Sequence, residues 1–316
     1  MKAIKYFIWI AATMVAAIAV YDQPGCKLKP PETFYLYPEG QNVDKGLEGA
    51  LGPGWSNGLS GEEYLKENGA NGNISDGARI DLYIPKKPNG QMIIVCPGGA
   101  YEYVSTHNEG TYVADWMTKN SITLAVVRYR MPDGHWEVPL RDVQNAFRFC
   151  RANAEKWGVN QIGVMGFSAG GHLAATTSNM FVDEITRPDF SILIYPVITM
   201  DESYTHKGSR ENLIGKNPAE DLVGRYSMER QVTENTPPTF LAHCTDDKAV
   251  PVANSISYYT QLVNHGVPAE MHIYPTGGHG WGFSADKYIG KGKDKLGYAR
   301  EEFWSSLKRW LESIHK

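Results

Sequence analysis

Ser168 stands in Gly166-Phe167-Ser168-Ala169-Gly170, with the apolar run 161–167 before it and a helix-like run after it. Glycines beside a single hydroxyl are what a tight strand-to-helix turn needs to push that hydroxyl outward, because neighbours with side chains would clash. At the start of a helix the hydroxyl also lies where backbone N–H groups point toward developing negative charge. Nucleophilic attack on a carbonyl is the chemistry this arrangement suits. A glycine-rich turn with an incidental serine is the plain alternative.

A serine hydroxyl attacks poorly without a general base and an acid that orients the base. Downstream, "TFLAHCT" (239–245) leads into Asp246-Asp247-Lys248-Ala249-Val250-Pro251, and "AEMHIYP" (269–275) leads into Gly277-Gly278-His279-Gly280-Trp281-Gly282. Asp247, three residues before Val250-Pro251, is the favoured acid and Asp246 the fallback; either could instead cap the following helix. His279 is the expected base, since glycines on both sides let the chain turn its imidazole toward the serine. The other histidines lack such a setting and read as ordinary. For the oxyanion, the candidate donors are the N–H of Ala169 and that of Gly99 or Ala100, in the Pro97-Gly98-Gly99-Ala100-Tyr101 turn that ends the run "IIVCPGGAY". An ordinary Pro-Gly-Gly turn is the alternative there.

Such residues need a scaffold, and the chain writes one. "RIDLYIP" (79–85) alternates as a half-buried strand does, while "QMIIVCP" (91–97) and "ITLAVVRYR" (122–130) are the more continuous runs of strands covered on both faces. Between 139 and 157, Leu140, Val143, Phe147, Cys150, Ala154 and Trp157 recur at helical steps, with Pro139 at the start and Gly158 past the end. Strand 161–167, helix 170–179, strands 190–197 and 239–245, helix 252–265, strand 269–275 and a closing helix marked by Phe303, Trp304, Leu307, Trp310 and Leu311 follow. Alternation of this kind predicts an α/β fold with a mostly parallel central sheet and helices on both faces. The polar stretch 199–237, with Pro218, Pro237 and Pro238, breaks the rhythm and reads as a short lid or substrate wall. Residues 38–78, rich in Gly, Asn, Ser and Glu, read as a surface-hugging N-terminal segment.

The 316 residues, 42% apolar, suit one large domain, 20–316. Thirty-one basic against 35 acidic residues give a net charge of −4 with no long block of either sign, which argues against a nucleic-acid partner. Lys2 and Lys5 precede an apolar run from Tyr6 to Tyr21 and a small-x-small site, Ala17-Ile18-Ala19. Residues 1–19 therefore read as a signal peptide, and the chain as exported, periplasmic or secreted, with no membrane association beyond that signal. Gln23-Pro24-Gly25 lacks the aliphatic residue that lipid attachment at Cys26 would require. Cys96, Cys150 and Cys244 fall in apolar settings and read as buried thiols, and no metal-ligand spacing occurs. The oligomeric state is not written in these patterns.

"CPGGAY", "VMGFSAGGHLAA", "HCTDDKAVPVANS" and "HIYPTGGHGWGF", in that order from about Ile80 to Leu311, resemble the α/β-hydrolase esterases grouped with acetyl xylan esterases, some of them feruloyl esterases and some labelled endo-xylanases. The resemblance implies the α/β-hydrolase fold and an acyl-enzyme mechanism without cofactor. It also implies an acetylated plant polysaccharide or oligosaccharide as substrate. Relatives carry a third glycine where this chain has Ala100, whose methyl group would narrow the acyl pocket. Tyr101, Tyr103 and Trp281 lie near the motifs and could stack on a sugar ring or equally be packing. A prolyl-oligopeptidase-type peptidase would need a propeller for which the length leaves no room, and a lipase a larger apolar lid. A non-catalytic binding protein on the same fold should have lost a triad member, and none is missing.

Overall fold

The computed structural model describes residues 31–36, 64–65, 71–73, 78–105, 107–132 and 134–315. Its central sheet has eight strands: β1 (Glu32–Tyr35), β2 (Arg79–Tyr83), β3 (Gln91–Cys96), β4 (Thr123–Arg128), β5 (Gln161–Phe167), β6 (Ser191–Ile194), β7 (Thr239–Cys244) and β8 (Ala269–Tyr274). They pair in the order β1-β2-β4-β3-β5-β6-β7-β8. The β1–β2 and β2–β4 pairs are antiparallel and the other five parallel. Every residue of β3, β5 and β7 is buried, as unbroken apolar runs covered on both faces require.

The helices are α1 (Tyr112–Lys119), α2 (Glu137–Asn153), α3 (Ser168–Asn179), α4 (Lys207–Ile214), α5 (Glu220–Tyr226), α6 (Ala253–Asn264), α7 (Asp286–Ile289) and α8 (Arg300–Ser313). Val143, Phe147 and Cys150 of α2, Leu173 of α3 and Leu262 of α6 share one core with Ile94 and Val164 of the sheet. Met117 of α1 and Phe303, Leu307 and Leu311 of α8 share the opposite core with Val95 and Met165. The sheet is thus the middle of three layers, as the alternation of elements predicts.

Three local differences from the sequence reading have physical causes. β2 is buried at four of its five positions rather than alternately, because the carboxylate of Asp81 is sheltered between Thr33 Oγ1 (2.8 Å) and Arg128 Nε (2.7 Å). α2 begins at Glu137, so Pro139 is its third residue, where its missing N–H still has no intrahelical acceptor to lose. Gly158 does close the region, in the left-handed conformation (φ +65°). Of segment 38–78, the described pieces Tyr64–Leu65 and Asn71–Asn73 join Val104–Ser105 in a small antiparallel sheet. The signal segment 1–19 and Cys26 lie outside the described residues. Cys96, Cys150 and Cys244 are free and buried, and burial pushes the Cys150 and Cys244 thiols up to about 12.

The insertion between β6 and β7 is packed as a wall. Asn254 of α6 accepts from Ile198 N–H (2.9 Å) and Thr199 N–H (3.1 Å), and Met228 N–H returns to the Ile198 carbonyl (3.0 Å). Its α5 end is fastened by His172 of α3. The imidazole Nε2 donates to the Tyr226 carbonyl (2.8 Å), which can only accept, so Nδ1 is left to accept from the Tyr101 hydroxyl (2.8 Å).

Burial pushes the pKa of His172 down to about 4. The unfolded chain takes up that proton near pH 6.5, whereas the folded chain resists it. Stability is therefore full above about 6.5 and declines as the pH falls toward 4, by on the order of 3 kcal/mol. Melting temperatures measured across that window should fall for wild type and fall less steeply for His172→Gln.

Candidate active site

The strand-to-helix turn places Ser168 in a left-handed conformation (φ +52°) as the first residue of α3. Crowding explains the flanking glycines. A Cβ on Gly166 would lie 2.1 Å from the Gly170 carbonyl oxygen, and a Cβ on Gly170 would lie 2.1 Å from that of Cys96 at the end of β3. The hydroxyl is thereby fixed at the C-terminal end of the sheet, with the unpaired N–H groups of the first turn of α3 beside it.

His279 comes to it from the loop after β8. Its Nδ1 lies 2.7 Å from Asp247 Oδ2 and its Nε2 lies 2.9 Å from Ser168 Oγ. An ionised carboxylate accepts only, so Nδ1 carries the proton and Nε2 is free to accept the serine proton. The three side chains form one line of hydrogen bonds across residues 111 and 32 apart in sequence.

Asp247 rather than Asp246 occupies the acid position. Burial alone would raise its pKa, but hydrogen bonds from His243 and His279 and from the Val250 N–H hold the carboxyl well below the usual carboxylate range. Oδ1 accepts the N–H groups of Ala249 and Val250, both at 2.9 Å. Asp246 instead holds the histidine loop, its Oδ1 accepting the Gly278 N–H at 2.7 Å.

His243, read from sequence as ordinary, is fully buried behind the acid. Its Nε2 lies 3.0 Å from the Val250 carbonyl and 3.3 Å from Asp247 Oδ2, while Nδ1 lies 2.8 Å from Ser255 Oγ. The Val250 carbonyl requires a proton on Nε2, so His243 faces Asp247 as a donor. Its place four residues before Asp247, at the end of the same strand, was the available signal.

The loop that carries the oxyanion candidates Gly99 and Ala100 packs against the serine through Gly98. A Cβ on Gly98 would come within 3.0 Å of Ser168 Cβ, and the Gly98 N–H is spent on Glu109 Oε2 (2.6 Å). With the Gly98 N–H taken, Gly99 and Ala100 are this loop's candidate donors and Ala169 is that of α3. The Gly99 carbonyl accepts from the N–H groups of Glu102 (2.9 Å) and Tyr103 (3.1 Å), closing a tight turn in which Ala100 and Tyr101 both have φ +57°. This left-handed geometry favours glycine. The third glycine of relatives would fit it without strain. Asn212 of α4 donates to the Ala100 carbonyl (2.8 Å).

Two of the three residues considered for sugar stacking are packing residues instead. Tyr101 is buried with its hydroxyl on His172, and its ring faces Tyr129 edge-on. Trp281 is buried between Tyr195 and Phe303, with ring centroids 5.0 Å away on each side. Rings enclosed in this way have no face to offer a ligand. Tyr103 is half-buried and keeps an accessible surface. The insertion adds His206, whose Nδ1 accepts the Ser209 N–H at the start of α4 (3.2 Å); burial and the nearby His279 lower its pKa.

Residues 80–262 match the BD-FAE family. The chain is 40% identical over 251 residues to an acetylxylan esterase of Xylanibacter ruminicola, covering 77% of this chain and 50% of that protein. It is 34% identical over 213 residues to endo-1,4-beta-xylanase B of Butyrivibrio fibrisolvens, covering 62% and 33%. The chain thus spans half or less of the length of these two relatives. Among solved structures, an acetyl ester-xyloside bifunctional hydrolase from Caldicellulosiruptor lactoaceticus superposes with a TM-score of 0.71 at 31% identity, over 91% of this chain and 98% of the other. A sugar hydrolase from Lactococcus lactis gives 0.66 at 29%, over 77% and 97%.

The geometry separates the two aspartates experimentally. Asp247→Asn should lower kcat by about three to four orders of magnitude, because an amide favours the wrong imidazole tautomer. Asp246→Asn, which keeps an acceptor for Gly278, should cost less than about tenfold. Steady-state kinetics on a chromogenic acetate ester would read both.

Proposed function

This chain belongs to the BD-FAE family of α/β hydrolases, and we propose that it is a serine esterase that removes acetyl groups from xylan or xylo-oligosaccharides. The observation that carries the reading is the line Ser168–His279–Asp247 at 2.9 and 2.7 Å, with the Gly98 loop packed against the serine. The choice of an acetylated xylan rests on the 40% identical acetylxylan esterase and on the acetyl ester-xyloside hydrolase that shares the fold.

In the proposed mechanism Ser168 Oγ attacks the acetyl carbonyl carbon while His279 Nε2 takes the hydroxyl proton. Asp247 holds the imidazole in its reactive tautomer and balances the positive charge it acquires. The tetrahedral oxyanion receives the Ala169 N–H and that of Gly99 or Ala100, each contributing on the order of 3 kcal/mol to the transition state. His279 then returns the proton to the departing sugar oxygen. A water molecule, deprotonated by the same imidazole, attacks the acetyl-serine and releases acetate. The chemistry calls for no cofactor.

We extend the proposal to location: residues 1–19 act as a signal peptide, so the enzyme meets its polysaccharide outside the cytoplasm. The support is Lys2 and Lys5 before the apolar run and the Ala17-Ile18-Ala19 site.

Acetate release from acetylated xylan by purified wild type and Ser168→Ala tests the reading, with ferulate release from a feruloylated substrate measured in parallel. Wild type should release acetate, and Ser168→Ala should lose that activity by several orders of magnitude at an unchanged melting temperature. An undiminished rate in the variant would sink the serine mechanism. Ferulate without acetate would reassign the ester, and release of neither acid would remove the xylan substrate.

A further inference from the structure

A single turn, His107–Thr111, reaches both loops that complete the catalytic apparatus. Its Glu109 is buried. Glu109 Oε2 accepts the Gly98 N–H at 2.6 Å, and Oε1 accepts the Tyr195 hydroxyl at 2.8 Å. Tyr195, directly after β6, has a left-handed backbone (φ +37°) and sets its ring 4.8 Å from that of His279. The neighbouring Asn108 donates to the Gly280 carbonyl (2.9 Å), one residue beyond His279, and accepts from the Ser284 hydroxyl.

The choice of a carboxylate here is informative. Burial raises the pKa of Glu109, so the ionised form is costly to place. Yet both groups that face it are donors: the Gly98 N–H can do nothing else, and the tyrosine oxygen already accepts from the Gly282 backbone, which turns its O–H toward Glu109. Only a group that accepts on both sides satisfies the pair. Glutamine offers one oxygen and would turn its NH2 toward one of the two donors. The ionised group also attracts His279 once that imidazole is protonated during attack.

We propose that Glu109 is a positioning residue for the esterase reaction. By fixing the Gly98 peptide it turns the next N–H groups of the loop toward the acyl oxygen, and through Tyr195 it fixes the ring on which His279 rests. This inference depends on the esterase reading above. Because the held N–H groups act on charge that develops in the transition state, losing their alignment should lower kcat and leave KM nearly unchanged.

The test compares wild type, Glu109→Gln and Tyr195→Phe with p-nitrophenyl acetate. Sites are counted by fluorophosphonate labelling of Ser168, and melting temperatures are recorded. For Glu109→Gln, kcat per labelled site should fall at least tenfold with KM within about threefold of wild type. Its melting temperature should fall by no more than a few degrees and stay well above the assay temperature, since the buried charge it removes offsets part of the cost of the donor left facing the amide NH2. Tyr195→Phe should lose kcat in the same direction, by a smaller factor. An unchanged kcat per site in Glu109→Gln overturns the inference. So does a rise in KM at constant kcat, or a loss fully accounted for by fewer labelled sites and a lower melting temperature. Should Glu109→Gln give no folded protein, Tyr195→Phe decides: an unchanged kcat overturns the inference and a loss with KM held sustains it. A wild type that is neither labelled nor active overturns the esterase reading itself.

Discussion

The left-handed backbone of Ser168 is the constraint from which the rest of the site follows. A serine held at φ +52° stores strain of order 1–3 kcal/mol, and that conformation persists only where the surroundings over-determine it. Here the surroundings are tightly packed. α3 lies so near β3 and β5 that Gly166 and Gly170 have no room for a methyl group. The sheet's parallel core supplies the pressure, and the glycines transmit it to one residue. Strain is not confined to that residue: Ala100, Tyr101 and Tyr195 also have positive φ, the first two in the loop packed on Ser168 and the third with its ring against His279.

Around this fixed serine the charges are arranged in depth. Asp247 is a buried anion whose oxygens meet two backbone N–H groups and the imidazoles of His279 and His243. So much donation keeps it ionised and immobile, which suits a group whose work is to hold a ring and stabilise its charged form. His243 in turn is held by Ser255 and the Val250 carbonyl. The acid is therefore supported from behind as well as from the side that faces the chemistry.

Much of this was legible in the chain. Strand 161–167 is read to the residue, because an unbroken apolar run bounded by turns leaves little choice. The order Ser168, Asp247, His279 is legible because parallel strands deliver their loops to one end of the sheet. What could not be read is which way a side chain turns when it stands beside the motifs. Tyr101 and Trp281 are next to functional loops in sequence, yet the backbone twists of those loops send both rings into the core. Glu109 and Tyr195 meet across 86 residues, and no local pattern announces a pair of that kind. The helix 112–119 carries a helical trace in Tyr112, Val113, Trp116 and Met117, too short at eight residues to stand out, and the mostly exposed edge strand 32–35 carries no apolar alternation.

The insertion between β6 and β7 grips the loop of backbone donors at two points, through Asn212 on the Ala100 carbonyl and through the Tyr226–His172–Tyr101 chain. That gives it an unexpected standing as an evolutionary unit. In many enzymes such an excursion is a replaceable cassette, exchanged to acquire a new substrate while the catalytic machinery stays as it was. In this chain the cassette and the machinery share fastenings. A graft that replaced the insertion would also remove the fastenings of the turn beside Ser168, so a change in one would have to be selected together with repair of the other.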